Sequence, residues 1–174
     1  MTAAGHTPAA VALGSNLGDR LAHLQAAVEA LEALRGVAVA AASPVYETEA
    51  HVQPGQAAQP DHLNAVVRLA VEGTPWGLLR RMQQIERAAG RASHAPRWSA
   101  RPLDLDLVLF GPAHIDEPGL TLPHPRLAER RFVLAPLADV WPDAVVPGWN
   151  LTVRELLAAT TDTARLHRTE WALR

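Results

Sequence analysis

Short apolar runs and stretches of helical periodicity alternate along the chain. Residues 9–13 (AAVAL) form a continuous apolar run that reads as a buried strand and stops at Gly14. Residues 14–19 (GSNLGD) are turn chemistry. From Arg20 onward, Leu21, Leu24, Val28 and Leu31 recur at helical spacing, with Glu29 and Glu32 on the polar side and Gly36 as the expected helix end. Residues 37–45 read as a strand despite much alanine. Residues 49–61, rich in Gln, Pro, Gly and Ala, make a loop long for a compact domain, which favours a functional role. Residues 63–71 predict a second strand. Thr74 and Pro75 supply the N-cap and first turn of a helix whose apolar face is Leu78, Met82, Ile85 and Ala89, ending at Gly90. An irregular stretch covers 90–102, and 103–110 carry the strongest strand pattern in the chain. Beyond them the pattern predicts a brief strand at 120–122 and a helix over 126–140 broken near Pro136. A capping box from Thr152 to Glu155 then opens a helix to about Ala159.

The order β-α-β-β-α-β with extra C-terminal helices predicts an α+β fold of ferredoxin-like (split βαβ) type. Its sheet is expected to be mainly antiparallel, with helices on one face. At 174 residues and 48% hydrophobic, the chain suits a single domain spanning 1–174. No apolar stretch approaches the ~20 residues of a membrane helix, and the first residues lack a basic region followed by an apolar one. No cysteine is present, which removes disulfides and thiol chemistry and points to the cytoplasm. With a net charge of −2, no general nucleic-acid partner is expected.

Charge changes the picture locally. All 16 basic residues are Arg. Six of them (Arg80, Arg81, Arg87, Arg91, Arg97, Arg101) lie between positions 80 and 101 against one acid, Glu86, and Arg126, Arg130 and Arg131 form a second cluster. The guanidinium fork suits phosphate, so these clusters point to a focused anion site. Next to the first cluster stands RPLDLDL at 101–107. In a strand, Asp104 and Asp106 project from one face with Cα atoms ~6.6 Å apart, while Leu103, Leu105 and Leu107 face a core. Adjacent carboxylates repel unless a cation offsets them, and Mg²⁺ takes one or two carboxylates plus substrate phosphates. A solvated polar strand face is the plain alternative. His124, six residues before Arg130, is a candidate phosphate contact or simply a loop residue. Gln83 and Glu86 share a helix face that holds a ribose or adenine edge or else faces solvent. Trp98 is suited to stacking on a flat ligand. Asn64, near the start of a buried strand, needs hydrogen-bond partners. With no Lys in the chain a Walker motif is excluded, and no G-x-G-x-x-G follows a strand. A nucleotide-sugar transferase using D-x-D, and a non-enzymatic RNA-binding module, are the competing readings.

Several segments together resemble the 6-hydroxymethyl-7,8-dihydropterin pyrophosphokinase family. They are ALGSNLG at 12–18, SPVYET at 43–48, QPDHLNA at 59–65, QQIE at 83–86, GR at 90–91, RW at 97–98, RPLDLDL at 101–107 and LPHPR at 122–126. They run in family order and span the chain to about Asp139. The resemblance implies transfer of the ATP pyrophosphoryl group to the hydroxymethyl group of 6-hydroxymethyl-7,8-dihydropterin, releasing AMP, in folate biosynthesis. It implies that Asp104 and Asp106 hold two Mg²⁺ ions, with Arg91 and Arg101 also catalytic. Arg91, Arg101, His124 and Arg130 match triphosphate-binding positions, and Gln83, Glu86, Arg97, Trp98 and Leu107 match the rest of the ATP side. Gly14, Thr48, Asn64, Phe132, Asp104 and a closing Trp98 match the pterin pocket. His62 stands where the family carries a stacking Phe or Tyr. A monomer or small homo-oligomer acting on ATP and the pterin, without nucleic acid or membrane, is the partner expectation.

Overall fold

A continuous apolar run in a strand needs a cover on both faces, and residues 9–13 of the central strand form such a run. In the computed structural model, which describes residues 5–50, 54–55, 57–90 and 99–173, that strand is β1 (Thr7–Ser15). It is followed by α1 (Arg20–Glu32), β2 (Val37–Ala42), β3 (Tyr46–Thr48), β4 (His62–Val71), α2 (Pro75–Ala88) and β5 (Asp104–Phe110). Then come β6 (Ile115–Glu117), β7 (Leu120–Leu122), α3 (Arg131–Val140), β8 (Val145–Val146), β9 (Leu151–Thr152), α4 (Val153–Ala159) and β10 (Leu166–Arg168). The main sheet is antiparallel in each of its pairings. β4 pairs with β1 on one side and with β2 and β3 on the other, β5 pairs with the far side of β1, and β10 extends the β3 edge.

The pleat sends alternate residues of β1 to opposite layers. Ala9, Val11 and Leu13 join Leu63, Ala65, Val67, Leu105 and Leu107 beneath Leu24, Val28 and Leu31 of α1 and Leu78 and Met82 of α2. Ala10 and Ala12 join Val66 and Val108 beneath Val133, Leu134 and Leu137 of α3 and Val153 and Leu156 of α4. Helices on one face only were expected; both faces are covered. On the second face Ala10, Ala12, Val66 and Val108 are themselves apolar, and the C-terminal helices supply their partner.

Several local features differ from the pattern reading. β1 continues through Gly14 and Ser15, because Gly14 pairs with both Asn64 and Asp104. The strand expected over 37–45 is split. Ser43 turns its Oγ back to accept the Val66 N–H at 3.0 Å, and Pro44 has no N–H to continue the ladder. α1 stops at Glu32 with Ala33 as its cap, and Gly36, at φ +74°, belongs to the turn into β2. α3 runs unbroken through Pro136. The interruption falls at Arg130, between a 3-10 turn at Leu127–Glu129 and the helix proper. The two caps are as expected: Thr74 Oγ1 accepts the Gly77 N–H at 3.1 Å, and Thr152 and Glu155 bond each other's backbone N–H at 3.2 and 2.7 Å. Among the described residues, no helix is long and apolar enough to cross a membrane.

Candidate active site

The second helical layer stops short of one end of the sheet. There the residues on β1 are small, and two rows run across the sheet. One row is Asn64, Gly14 and Asp104; the other is Val66, Ala12 and Asp106. With glycine and alanine in the middle of each row, a cavity of about 500 Å³ opens above them. A Cβ on Gly14 would come within 3.2 Å of Asn64 Oδ1, so the glycine gives that amide its room. Asn64 is buried, and its Nδ2 donates to Thr48 Oγ1 at 2.7 Å, which fixes the side chain over Gly14. His62 and Phe132 line the same cavity.

The charged wall is built on β5. Asp104 and Asp106 lie on the cavity side of the strand, and Leu103, Leu105 and Leu107 are buried on the other side, as alternation predicts. Each carboxylate meets an arginine: Arg101 Nη1 lies 3.2 Å from Asp104 Oδ1, and Arg130 Nη1 lies 3.3 Å from Asp106 Oδ2. Arg130 Nη1 is also 3.4 Å from His124 Nε2, and its guanidinium carbon sits 5.9 Å from the Phe132 ring centroid. Burial, then the positive charges of Arg130 and Arg126, push the His124 pKa down to about 4. The ring is therefore neutral at pH 7. The aspartate side chains remain 36% and 38% exposed, enough to meet an ion arriving in the cavity. Among the described residues no three ligating side chains converge. Two oxygen donors of this kind suit Mg²⁺, which takes its remaining ligands from phosphate and water.

One cavity thus collects Gly14, Thr48, His62 and Asn64 on its apolar and amide side. Arg101, Asp104, Asp106, His124, Arg130 and Phe132 complete it. Three other candidates lie elsewhere. Leu107 is in the first core. Gln83 is exposed on α2. Glu86 is neither on a solvent face nor at the cavity wall. It is buried, and its Oε1 accepts the Leu105 N–H at 2.7 Å, between the two aspartates of β5. Arg91, Arg97 and Trp98 lie outside the described residues. Arg126 and Arg131 also line the cavity, so the whole second arginine cluster faces it.

Some cavity residues carried no individual signal in the sequence. Asn16 is buried at the end of β1 and clasps the residue that opens the acidic segment. Its N–H donates to the Arg101 carbonyl at 3.1 Å, and its Oδ1 accepts the Arg101 N–H at 2.8 Å. Its Nδ2 donates to Gln59 Oε1 at 3.1 Å. Asp162, Ala164, Arg165 and Leu166 close another side. Asn16 falls within a turn-like stretch, and the last four belong to no periodic pattern.

The model of the family described as 7,8-dihydro-6-hydroxymethylpterin-pyrophosphokinase (HPPK) matches residues 10–142. The 2-amino-4-hydroxy-6-hydroxymethyldihydropteridine pyrophosphokinase of Methylorubrum extorquens is 43% identical over 152 residues, 87% of this chain and 92% of that protein. The protein of the same name from Pseudomonas aeruginosa is 43% identical over 150 residues, 86% of this chain and 89% of its own length. Among solved structures, a Plasmodium falciparum HPPK-DHPS with pterin and p-hydroxybenzoate superposes with a TM-score of 0.65 at 13% identity. That match covers 88% of this chain and 43% of the Plasmodium one, so this chain spans less than half of that protein's length. A family model that spans most of the chain and relatives 43% identical over 86–87% of it settle the relationship, and this protein belongs to the 7,8-dihydro-6-hydroxymethylpterin-pyrophosphokinase family.

Proposed function

We propose that this chain transfers the pyrophosphoryl group of ATP to the hydroxymethyl group of 6-hydroxymethyl-7,8-dihydropterin in folate biosynthesis. The hydroxymethyl oxygen attacks the β-phosphorus, the bond between that phosphorus and the α,β-bridging oxygen breaks, AMP leaves, and the hydroxyl proton is released. The observation that carries the reading is the juxtaposition in one cavity of an acidic pair with arginine partners and a buried amide over a glycine floor. Phosphoryl-type transfer asks the protein for position and charge neutralisation more than for covalent help.

Asp104 and Asp106 would hold Mg²⁺, two ions in our reading, which neutralises triphosphate charge and orients its oxygens when bound. Arg101 and Arg130, now paired with the aspartates, are free to turn to the triphosphate once those carboxylates have a metal partner. His124, held neutral, offers a hydrogen bond or takes up a proton as phosphate charge arrives. Asn64, oriented by Thr48, presents its carbonyl to the amino and N–H edge of a pterin, and Gly14 leaves room for the ring. Phe132 and His62 offer stacking faces, and imidazole gives less area than phenyl. Gln83, Glu86, Leu107, Arg91, Arg97 and Trp98 are assigned to the ATP side, with Trp98 also closing on the pterin and Arg91 also catalytic. These six assignments rest on family resemblance. Glu86 acts through the Leu105 N–H, which it holds.

The strand order β2–β4–β1–β5, with α1 and α2 as crossovers on one face, supports the ferredoxin-like assignment. Burial of Leu173 in the first core supports one domain over 1–174. ATP as co-substrate and a cysteine-free chain suit the cytoplasm, and one chain supplies the described cavity walls, so a monomer or a small homo-oligomer suffices. The test is a product assay with ATP, Mg²⁺ and the pterin that resolves AMP from ADP. Pterin-dependent AMP is expected. ADP would mean single phosphoryl transfer and would overturn the mechanism. A nucleotide-sugar requirement would favour the D-x-D transferase reading instead.

A further inference from the structure

Residues 160–173 lie beyond the span matched by the family model, yet they bind both sides of the cavity. On one side they complete a helix. Arg130 stands at the N-cap of α3 and offers no side-chain cap. Asp162 supplies one from a distance: its Oδ2 accepts the Arg131 N–H at 3.0 Å, and its Oδ1 accepts the Ala164 N–H at 3.0 Å. A carboxylate at a helix start meets unpaired N–H groups and the positive end of the helix dipole. Arg131 is flanked by Arg130, on Asp106, and by Phe132, at the cavity, so anchoring it anchors both. Thr160 Oγ1 adds a bond to the Ala128 carbonyl at 3.0 Å.

On the other side the same segment grips the β3–β4 edge. The Arg165 N–H donates to Glu49 Oε1 at 3.2 Å, and its guanidinium Nη2 lies 3.0 Å from Asp61 Oδ2, one residue before His62. Leu166 then pairs opposite Thr48. Thr169 bonds the Val45 carbonyl through its N–H at 2.9 Å and its Oγ1 at 2.8 Å, and Leu173 is buried in the first core. An exposed ion pair is weak alone. Here strand pairing and a buried anchor hold the segment, and the pair sets its direction.

We propose that residues 160–168 brace the cavity, fixing the spacing between the start of α3 and the β3–β4 edge. Asp162 and Arg165 are thereby positioning residues for the acceptor. The inference rests on reading this cavity as the acceptor site. The experiment uses the full chain and four variants, Asp162→Ala, Asp162→Asn, Arg165→Ala and Arg165→Lys, assayed for AMP release against pterin concentration at saturating ATP and Mg²⁺. Arg165→Ala is expected to raise the pterin KM about fivefold with kcat changed less than about twofold, because only acceptor placement is loosened. Asp162→Ala is expected to raise that KM about tenfold and also lower kcat, because Arg130 shifts with Phe132. The Asn and Lys variants should recover part of each loss. Hydrogen exchange at the amides of 131–134 should quicken in Asp162→Ala. A native pterin KM in both alanine variants overturns the proposal, as does a kcat loss in Arg165→Ala at unchanged KM. If the wild-type chain releases no AMP, the acceptor reading itself fails. Exchange at 131–134 then decides the brace alone, quickened exchange upholding it and unchanged exchange ending it.

Discussion

The two faces of the central sheet use the same strands for opposite ends. On one face Val11, Leu13, Leu63, Leu105 and Leu107 are buried under α1 and α2. On the other, one residue away at each step, stand Ala12, Gly14, Asn64, Asp104 and Asp106 around open space. The first face is large and apolar and excludes everything. The second is small at its centre and polar at its rim, and it admits a ligand. A period of two separates stability from chemistry within single strands, so neighbouring substitutions should have unlike effects.

Neighbours on β5 give the sharpest contrast. Asp106→Ala is expected to lower turnover about a thousandfold or more while thermal unfolding moves by only a few degrees. A variant with near-native kcat would remove the metal assignment. Leu105→Ala, one residue away, should cost about 3 kcal/mol of stability, seen as a Tm lowered by roughly 6–12 °C, with activity per folded molecule retained. Retained Tm would mean that the closed face is not the stabilising one. The central row comes next. Gly14→Ala puts a methyl 3.2 Å from Asn64 Oδ1, and the pterin KM should rise about tenfold with the KM for ATP unchanged.

The smallest effect concerns His124, whose pKa is lowered to about 4 by burial and by Arg130 and Arg126. Between pH 6.5 and 4 the unfolded chain binds a proton that the folded chain refuses. Stability is therefore full above pH 6.5 and falls with pH across that window. For a ring with part of its surface in water the loss is about 1 kcal/mol. His124→Gln should flatten Tm against pH there. Parallel Tm curves for the variant and the wild type would show that this ring does not contribute.

What the sequence made legible was whatever repeats with a period. The alternation of 103–110 located both the acidic pair and its buried leucines, and Thr74 and Thr152 announced two helix starts. What it hid was settled by distant partners. The break at Ser43 exists because Val66 is there to bond its hydroxyl, and nothing local to Ser43 says so. The C-terminal helices of the second layer were legible as helices, but nothing local to 131–140 or 153–159 says which face of the sheet they cover. Asn16 sits in a turn-like stretch, and only the fold brings Arg101 to it. β10 is three residues long, too short for a period, and Asp162 and Arg165 beside it gain meaning only opposite α3 and Asp61.

The seat of the C-terminal segment also carries its own optical probe. Tyr46 is the one tyrosine of the chain, and it lies buried on β3 opposite Arg168. Its hydroxyl donates to Asp139 Oδ2 of α3 at 2.6 Å. Burial and that carboxylate raise the phenol from its ordinary 10 to about 12. At pH 10, where an ordinary phenol is half ionised, this one therefore stays protonated and its phenolate absorbance stays low while β3, α3 and β10 remain assembled. An early phenolate signal would report their separation in an otherwise folded molecule, with no label attached.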